Sequence, residues 1–128
     1  MPFIRVNYLE NQYEEKELPI ISKSIMRALI EHFNVPEQDY FQVFHAHKQS
    51  EFYYSPHYLN VDRTEKLLYI QITLASGRSR DQKKAFYQRL AELLSTECRI
   101  REEDVFAVLV ETELEDWTFG KGIAQMIL

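Results

Sequence analysis

The chain has 128 residues, of which 45% are hydrophobic and 27% charged, the composition of one ordinary globular domain. Its net charge of −5 and the absence of a basic run make nucleic acid an unexpected partner. No apolar stretch approaches the roughly 20 residues of a membrane span, and the single Cys98 excludes an internal disulfide. We therefore expect a cytoplasmic protein without a membrane partner.

The chain opens with MPFIRVNY, whose alternating pattern predicts a short strand. Pro2 is compatible with the first residue of a strand because proline has no backbone N–H. A second interpretation is chemical, since Met1 is removable when the second residue is small. The resulting prolyl amine would be a general acid or base, whereas the Pro2 nitrogen is an amide while Met1 stays attached.

The next stretch, ELPIISKSIMRALIEHF, places apolar residues four apart and predicts an amphipathic helix. Pro19 fits a helix only in its first turn, so we expect the helix to begin around residues 15–18. The strand FQVFHAH follows. Its His45 and His47 share a face, but no Cys or carboxylate completes a ligand set, so no metal site is predicted.

Between this strand and the next, KQSEFYYSPHYLNVDR is rich in tyrosine and contains a Ser-Pro turn signal. It predicts a loop or a short hairpin. The strand LLYIQITLA then leads to the helix SRDQKKAFYQRLAELLSTE, where Ser79 is the predicted N-cap and Gln82 stands in the capping-box position. The strand DVFAVLVET completes the pattern.

The tail TELEDWTFGKGIAQMIL holds the only tryptophan, Trp117, and an aromatic neighbour, Phe119. Gly120 and Gly122 mark a tight turn beside this aromatic pair. We expect this tail to form a C-terminal hairpin.

An internal repeat organises the chain. NVPEQDYFQVFHAH and RIREEDVFAVLVET align without a gap at an offset of 65 residues, so that Asp39 matches Asp104. Carrying the offset backwards pairs Ile4 with Tyr69. The repeat spans about 1–47 and 66–112, within a single domain 1–128 that ends in an extension, 113–128.

The repeat predicts an α+β fold of two tandem β-α-β units, with a four-stranded sheet and two helices on one face. The stretch VFAVLV is apolar at both odd and even positions, which indicates a strand buried on both faces. No third long helix is available to cover the second face. We therefore expect a second copy of the chain to cover it.

The N-terminal proline, the doubled β-α-β unit and the implied self-association together resemble the tautomerase superfamily. Within it, the chain is most similar to the malonate semialdehyde decarboxylase branch, through FNVPEQDYFQ, GRSRDQKKAFYQRLAE, REEDVFAVLVE and above all DWTFGKGIAQ. The resemblance covers nearly the whole chain. It implies a homotrimer that needs no metal and no organic cofactor.

The resemblance also implies a role for each site residue. Pro2 would be the catalytic acid or base, and Asp39 would support it. Arg78 would hold the carboxylate of a small substrate, and Trp117 and Phe119 would line the apolar part of the pocket. Burial beside these rings and the Arg78 charge would favour the neutral, basic form of the amine.

Other interpretations stay open for some of these residues. Asp39 and its repeat partner Asp104 would both be structural if they simply satisfy backbone groups of a turn. Trp117 and Phe119 would also suit an oligomer interface. Ser76 stands where the decarboxylase branch has a second arginine, which counts against decarboxylation.

The function that follows is a cofactor-free tautomerase that interconverts the enol and keto forms of small 2-oxo acids. The first alternative is a malonate semialdehyde decarboxylase or hydratase activity. The second is a non-catalytic oligomeric binding protein that keeps the fold.

Overall fold

The computed structural model describes residues 1–128 and contains four strands and two helices. In chain order they are β1 (Pro2–Leu9), α1 (Leu18–Phe33), β2 (Gln42–His47), β3 (Leu68–Ala75), α2 (Arg80–Cys98) and β4 (Val105–Thr112). This order confirms the predicted pair of β-α-β units. Neither helix has the length and apolar character that crossing a membrane requires.

Both helices begin where their sequences predict. α1 follows a short 3-10 turn at Glu15–Glu17 and has Pro19 in its first turn, where the missing N–H costs nothing. α2 is capped by Ser79, whose hydroxyl accepts a hydrogen bond from the Gln82 backbone N–H at 3.1 Å. The Gln82 side chain accepts from the Ser79 N–H at 3.0 Å, which completes the capping box.

The strand order in the sheet is β2-β1-β3-β4. β1 is parallel to β2, β3 is parallel to β4, and the two units meet along an antiparallel β1–β3 pair. In that pair Pro2 lies opposite Leu74. The start of β1 therefore lies beside the end of β3, and both belong to one edge of the sheet.

The two helices cover one face of the sheet. Alternate residues of β1 and β3 are fully buried against them, and the rings of Phe33 and Phe86 stack at 4.5 Å between α1 and α2. The opposite face carries apolar side chains that are 40–48% exposed: Phe41, Val43, Phe106, Val108 and Val110. β4 is apolar on both sides, but one chain leaves its second face uncovered, so its burial on both faces stays a prediction about the assembly.

The sheet register corrects one detail of the repeat. Ile4 lies beside Gln42, which corresponds to Ala107 at the offset of 65, and Ala107 lies beside Ile70. Ile4 therefore corresponds to Ile70 at an offset of 66, and its predicted pairing with Tyr69 is wrong. A slip of one residue moves a side chain to the other face of a strand, and Tyr69 indeed faces away from the core.

Neither segment outside the repeat contains a strand. Residues 48–63 form two short 3-10 turns, so the loop is the correct alternative there. The tail 113–128 also forms 3-10 turns, and the predicted hairpin is wrong. Residues 120–122 all have positive φ, which curls the chain at the predicted turn, and the Gln125 side chain then closes the loop.

Candidate active site

The start of the chain is held at the sheet edge where β1 begins. Pro2 is buried opposite Leu74, and the Met1 ammonium group donates a hydrogen bond to Asp39 Oδ2. The side chains of Met1 and Asp39 are only 8% and 13% exposed. An amino group and a carboxylate therefore meet in a region that is largely shielded from water.

The Asp39 carboxylate is incompletely satisfied. Its backbone N–H donates to the Pro36 carbonyl at 3.0 Å and closes the turn before β2. Oδ2 contacts the chain's amino group, while Oδ1 is buried without a hydrogen-bond partner. A buried carboxylate oxygen without a partner is costly, and it is available to a ligand that brings a donor.

Its repeat partner, Asp104, is a structural residue. It is fully buried, and its two oxygens accept from the Thr64 N–H at 2.7 Å and the Thr64 hydroxyl at 2.6 Å. Arg101 lies 3.6 Å from it. The interpretation that both aspartates satisfy turn backbone groups therefore holds for Asp104 and does not describe the Asp39 side chain.

Arg78 lies in the connection between β3 and α2, and its guanidinium is anchored on two backbone carbonyls. Nη1 donates to Ala75 and Nη2 to Phe33, each at 3.0 Å, and the group lies 5.3 Å from the centre of the Phe33 ring. Phe33 ends α1, so the cation also complements the negative end of that helix. Two of the five N–H donors of the guanidinium are used in this way.

Trp117 is tied to β4 and, through it, to the strand that lies opposite Pro2. Its indole N–H donates to the Thr112 hydroxyl at 2.7 Å, and this hydroxyl donates to the Leu74 carbonyl at 3.0 Å. Leu74 is the residue opposite Pro2. Trp117 is thus two hydrogen bonds away from the partner of Pro2.

Phe119 extends this aromatic wall across the sheet edge. Its ring stacks on Trp117 at 5.7 Å and contacts Phe41 at 5.9 Å. Because Trp117 is held by β4 and Phe41 precedes β2, the tail crosses the edge where β1 begins. Sequence reasoning did not assign Phe41 to the site, although its match with Phe106 in the repeat was the available signal.

Ser76, which stands in place of the second arginine of the decarboxylase branch, has an acidic neighbour. The Ser76 backbone N–H donates to the Thr112 carbonyl at 2.9 Å, and its hydroxyl lies 3.4 Å from a carboxylate oxygen of Glu113. An acidic neighbour at this point disfavours a negatively charged substrate group there.

The other candidate groups lie outside this edge. His47 Nε2 is 2.7 Å from Asn7 Oδ1, and its ring stacks on His45. Burial raises the pKa of the Cys98 thiol, whose sulfur lies 3.7 Å from the Ser24 hydroxyl. A protonated, half-buried thiol of this kind is a packing residue rather than a nucleophile.

Comparisons with known proteins agree on one family. The family described as "Tautomerase enzyme" matches residues 39–120. The probable tautomerase YusQ of Bacillus subtilis (strain 168) is 46% identical over 127 residues, which are 99% of each chain. Among solved structures, malonate semialdehyde decarboxylase is 25% identical with a TM-score of 0.91, over 98% of this chain and 95% of its own.

A fused 4-OT, solved as a symmetric trimer, has a TM-score of 0.77 at 14% identity, over 97% of this chain and 96% of its own. At that identity the likeness concerns the fold, which is the same four-stranded sheet with two helices. The family match and the 46% identical relative go further: this chain belongs to the tautomerase family.

Proposed function

We propose that the protein is a cofactor-free tautomerase that interconverts the enol and keto forms of small 2-oxo acids, with the Pro2 amine as general acid and base. The observation that carries this proposal is the Asp39 carboxylate, which is partly unsatisfied and lies at the shielded start of the chain. An aromatic wall and an anchored cation share the same sheet edge.

Removal of Met1 would convert the Pro2 amide into a secondary amine and vacate the space that Met1 occupies beside Asp39. An enol acid in that space would place its carboxylate on the unused N–H donors of Arg78. The Pro2 amine takes the proton from the enol oxygen and returns it to the carbon, so that the keto form leaves and the amine is regenerated. The rings of Trp117 and Phe119 exclude water from this transfer.

A decarboxylase or hydratase activity is the second candidate. A carboxylate beside an amine favours the ammonium form. In the tautomerase Asp39 would stabilise the ammonium that forms when Pro2 has taken the enol proton. If the free Pro2 amine were already protonated, it would polarise a substrate carbonyl instead of accepting a proton. The likeness to malonate semialdehyde decarboxylase points the same way. Ser76, which stands where that chemistry would use a second arginine and has the Glu113 carboxylate beside it, favours the tautomerase.

The test is the decay of phenylenolpyruvate, followed by its ultraviolet absorbance. Protein shown by intact mass to lack Met1 should accelerate ketonisation, and protein made with methionine aminopeptidase inhibited should not, because its Pro2 nitrogen is an amide. Equal rates in both preparations would refute the role of the Pro2 amine. A parallel assay with malonate semialdehyde decides between the two candidate reactions.

We also propose that the protein is a homotrimer whose copies pack through the uncovered sheet face. The exposed apolar residues of that face support a self-association, and the fused 4-OT neighbour is itself a trimer. Val108→Asp would bring three carboxylates into the buried interface and should convert most of the protein to smaller species in multi-angle light scattering. Ile20→Asp, at an equally exposed residue of α1, should leave the mass unchanged.

If Val108→Asp kept the mass of the wild type, or the wild type were itself a monomer, the proposed interface would be wrong.

A further inference from the structure

A cavity of about 470 Å³ lies at the end of the sheet opposite Pro2. It is an open cavity lined by the 53–63 segment and by the starts of β3 and β4. Its volume is within the range of small-molecule sites. The lining residues that matter here are four tyrosines, one phenylalanine and one arginine: Tyr53, Tyr54, Tyr58, Tyr69, Phe106 and Arg63.

The internal repeat places this cavity where the second copy would have its own active site. At the offset of 65, Phe106 corresponds to Phe41, and the same offset carried past the bounds of the repeat sets Tyr54 against Phe119. The segment after β2 therefore supplies an aromatic wall here, as the tail after β4 does beside Pro2. Aromatic side chains therefore line both ends of the sheet.

The catalytic groups are missing from this end. β3 is preceded by further chain, so no amino group is available, and the corresponding Asp104 is saturated by Thr64. The cavity therefore has the features of a binding site that lacks the amine and the available carboxylate of the Pro2 end.

Arg63 gives the cavity a fixed positive charge. Its Nη1 donates to the backbone carbonyls of Ser55, Tyr58 and Val61 at 3.1–3.2 Å. These bonds hold the guanidinium in place and leave its Nε and Nη2 without a partner on the chain. Nε and Nη2 lie along one edge of the planar group, which can donate two parallel hydrogen bonds to a carboxylate.

The aromatic walls suit a planar ligand. Tyr69 packs against Phe106 with ring centres 5.0 Å apart, and its hydroxyl donates to the Tyr53 carbonyl. Tyr53 and Tyr58 are 77% and 67% exposed, so their ring faces are available for stacking. A planar ring with one carboxylate would cover these faces and reach the free edge of Arg63.

We propose that this cavity is a second, non-catalytic ligand site that binds planar aromatic monocarboxylates, with the carboxylate on Arg63 and the ring against Tyr53 and Tyr58. The site is independent of the reaction proposed at Pro2. It goes beyond that function because it uses other residues at the other end of the sheet.

The test is a titration of the ¹⁵N-labelled full-length protein with trans-cinnamate, followed by amide chemical shifts, with cinnamyl alcohol as the neutral probe. Cinnamate should cause saturable shifts at the amides of residues 53–55, 57 and 58 and of Arg63 and Tyr69. The alcohol should bind at least about fivefold more weakly because it cannot pair with the guanidinium. Shifts confined to the Pro2 end, or no saturable shifts, would overturn the proposal. The latter is also the result if a neighbouring copy fills the cavity.

Two variants and one control sharpen this test. Arg63→Lys keeps the charge and loses the paired donors, and Tyr58→Ser removes an exposed wall, so each should weaken cinnamate binding about fivefold or more. Arg80→Gln removes a charge from the exposed start of α2 and should leave binding unchanged. Wild-type affinity in both cavity variants, with spectra showing that they are folded, would contradict the assignment.

Discussion

Pro2→Ala is expected to lower kcat/KM for phenylenolpyruvate ketonisation by about 10²-fold or more, the usual size of a general acid–base contribution. Alanine also permits removal of Met1, so the variant keeps a free amino terminus at the start of β1. That amine is primary, less basic, and no longer held by a ring whose position the buried strand start determines. The measurement is the absorbance decay, made on both proteins after intact mass shows that Met1 is absent.

Pro56→Ala is the matched control, because Pro56 lies in the segment between β2 and β3, away from the candidate site. It should keep the rate of the wild type. A Pro2→Ala rate within about twofold of the wild type would contradict the proposed role of the proline. The site would then act through another group, or the fold would serve binding alone.

The second large effect separates the two aspartates of the repeat. Asp104→Ala should lower the free energy of unfolding by about 2–3 kcal/mol. The Asp104 side chain is fully buried, so its removal leaves the Thr64 N–H without an acceptor at a site that water does not reach. Asp39→Ala should change stability by less than about 1 kcal/mol, because it also removes an unpartnered carboxylate oxygen. Its ketonisation rate should fall by about 10²-fold.

Urea denaturation and the enol assay on the same preparations measure both effects. Asp104→Ala should keep activity at urea concentrations where it stays folded, since its side chain lies away from Pro2. Thr64→Val offers an independent check, because it removes one of the two bonds to Asp104 and should cost less than the Asp104 variant. Equal stability losses at both aspartates would show that Asp39 is also a structural residue.

Much of the fold could be predicted because its signals are local. Pro19 places the start of α1 within a few residues, and Ser79 with Gln82 marks the start of α2, since both depend on the first turn of a helix alone. The tail was predicted less well. Its glycines predict a turn, but they do not distinguish a turn that joins two strands from a turn that is closed by the Gln125 side chain.

The sequence was sufficient to select the candidate site residues, but not to predict which groups their side chains contact. Asp39 and Asp104 occupy the same place in the repeat, and only their long-range neighbours distinguish them: the start of the chain for one, Thr64 for the other. Arg78 shows the same limit, because its guanidinium is held by a carbonyl 45 residues away at the end of α1.

The sequence by itself determined the element order, the two-fold repeat and the uncovered apolar face, because hydrophobic periodicity and capping act over a few residues. The tertiary structure alone decided that β1 and β3 are antiparallel neighbours, so that Pro2 lies opposite Leu74, the residue to which Trp117 is linked through the Thr112 hydroxyl. It also decided that residues of β1 correspond to residues of β3 at a repeat offset of 66 instead of 65. Such pairings depend on contacts between residues far apart in the chain, which no local pattern encodes.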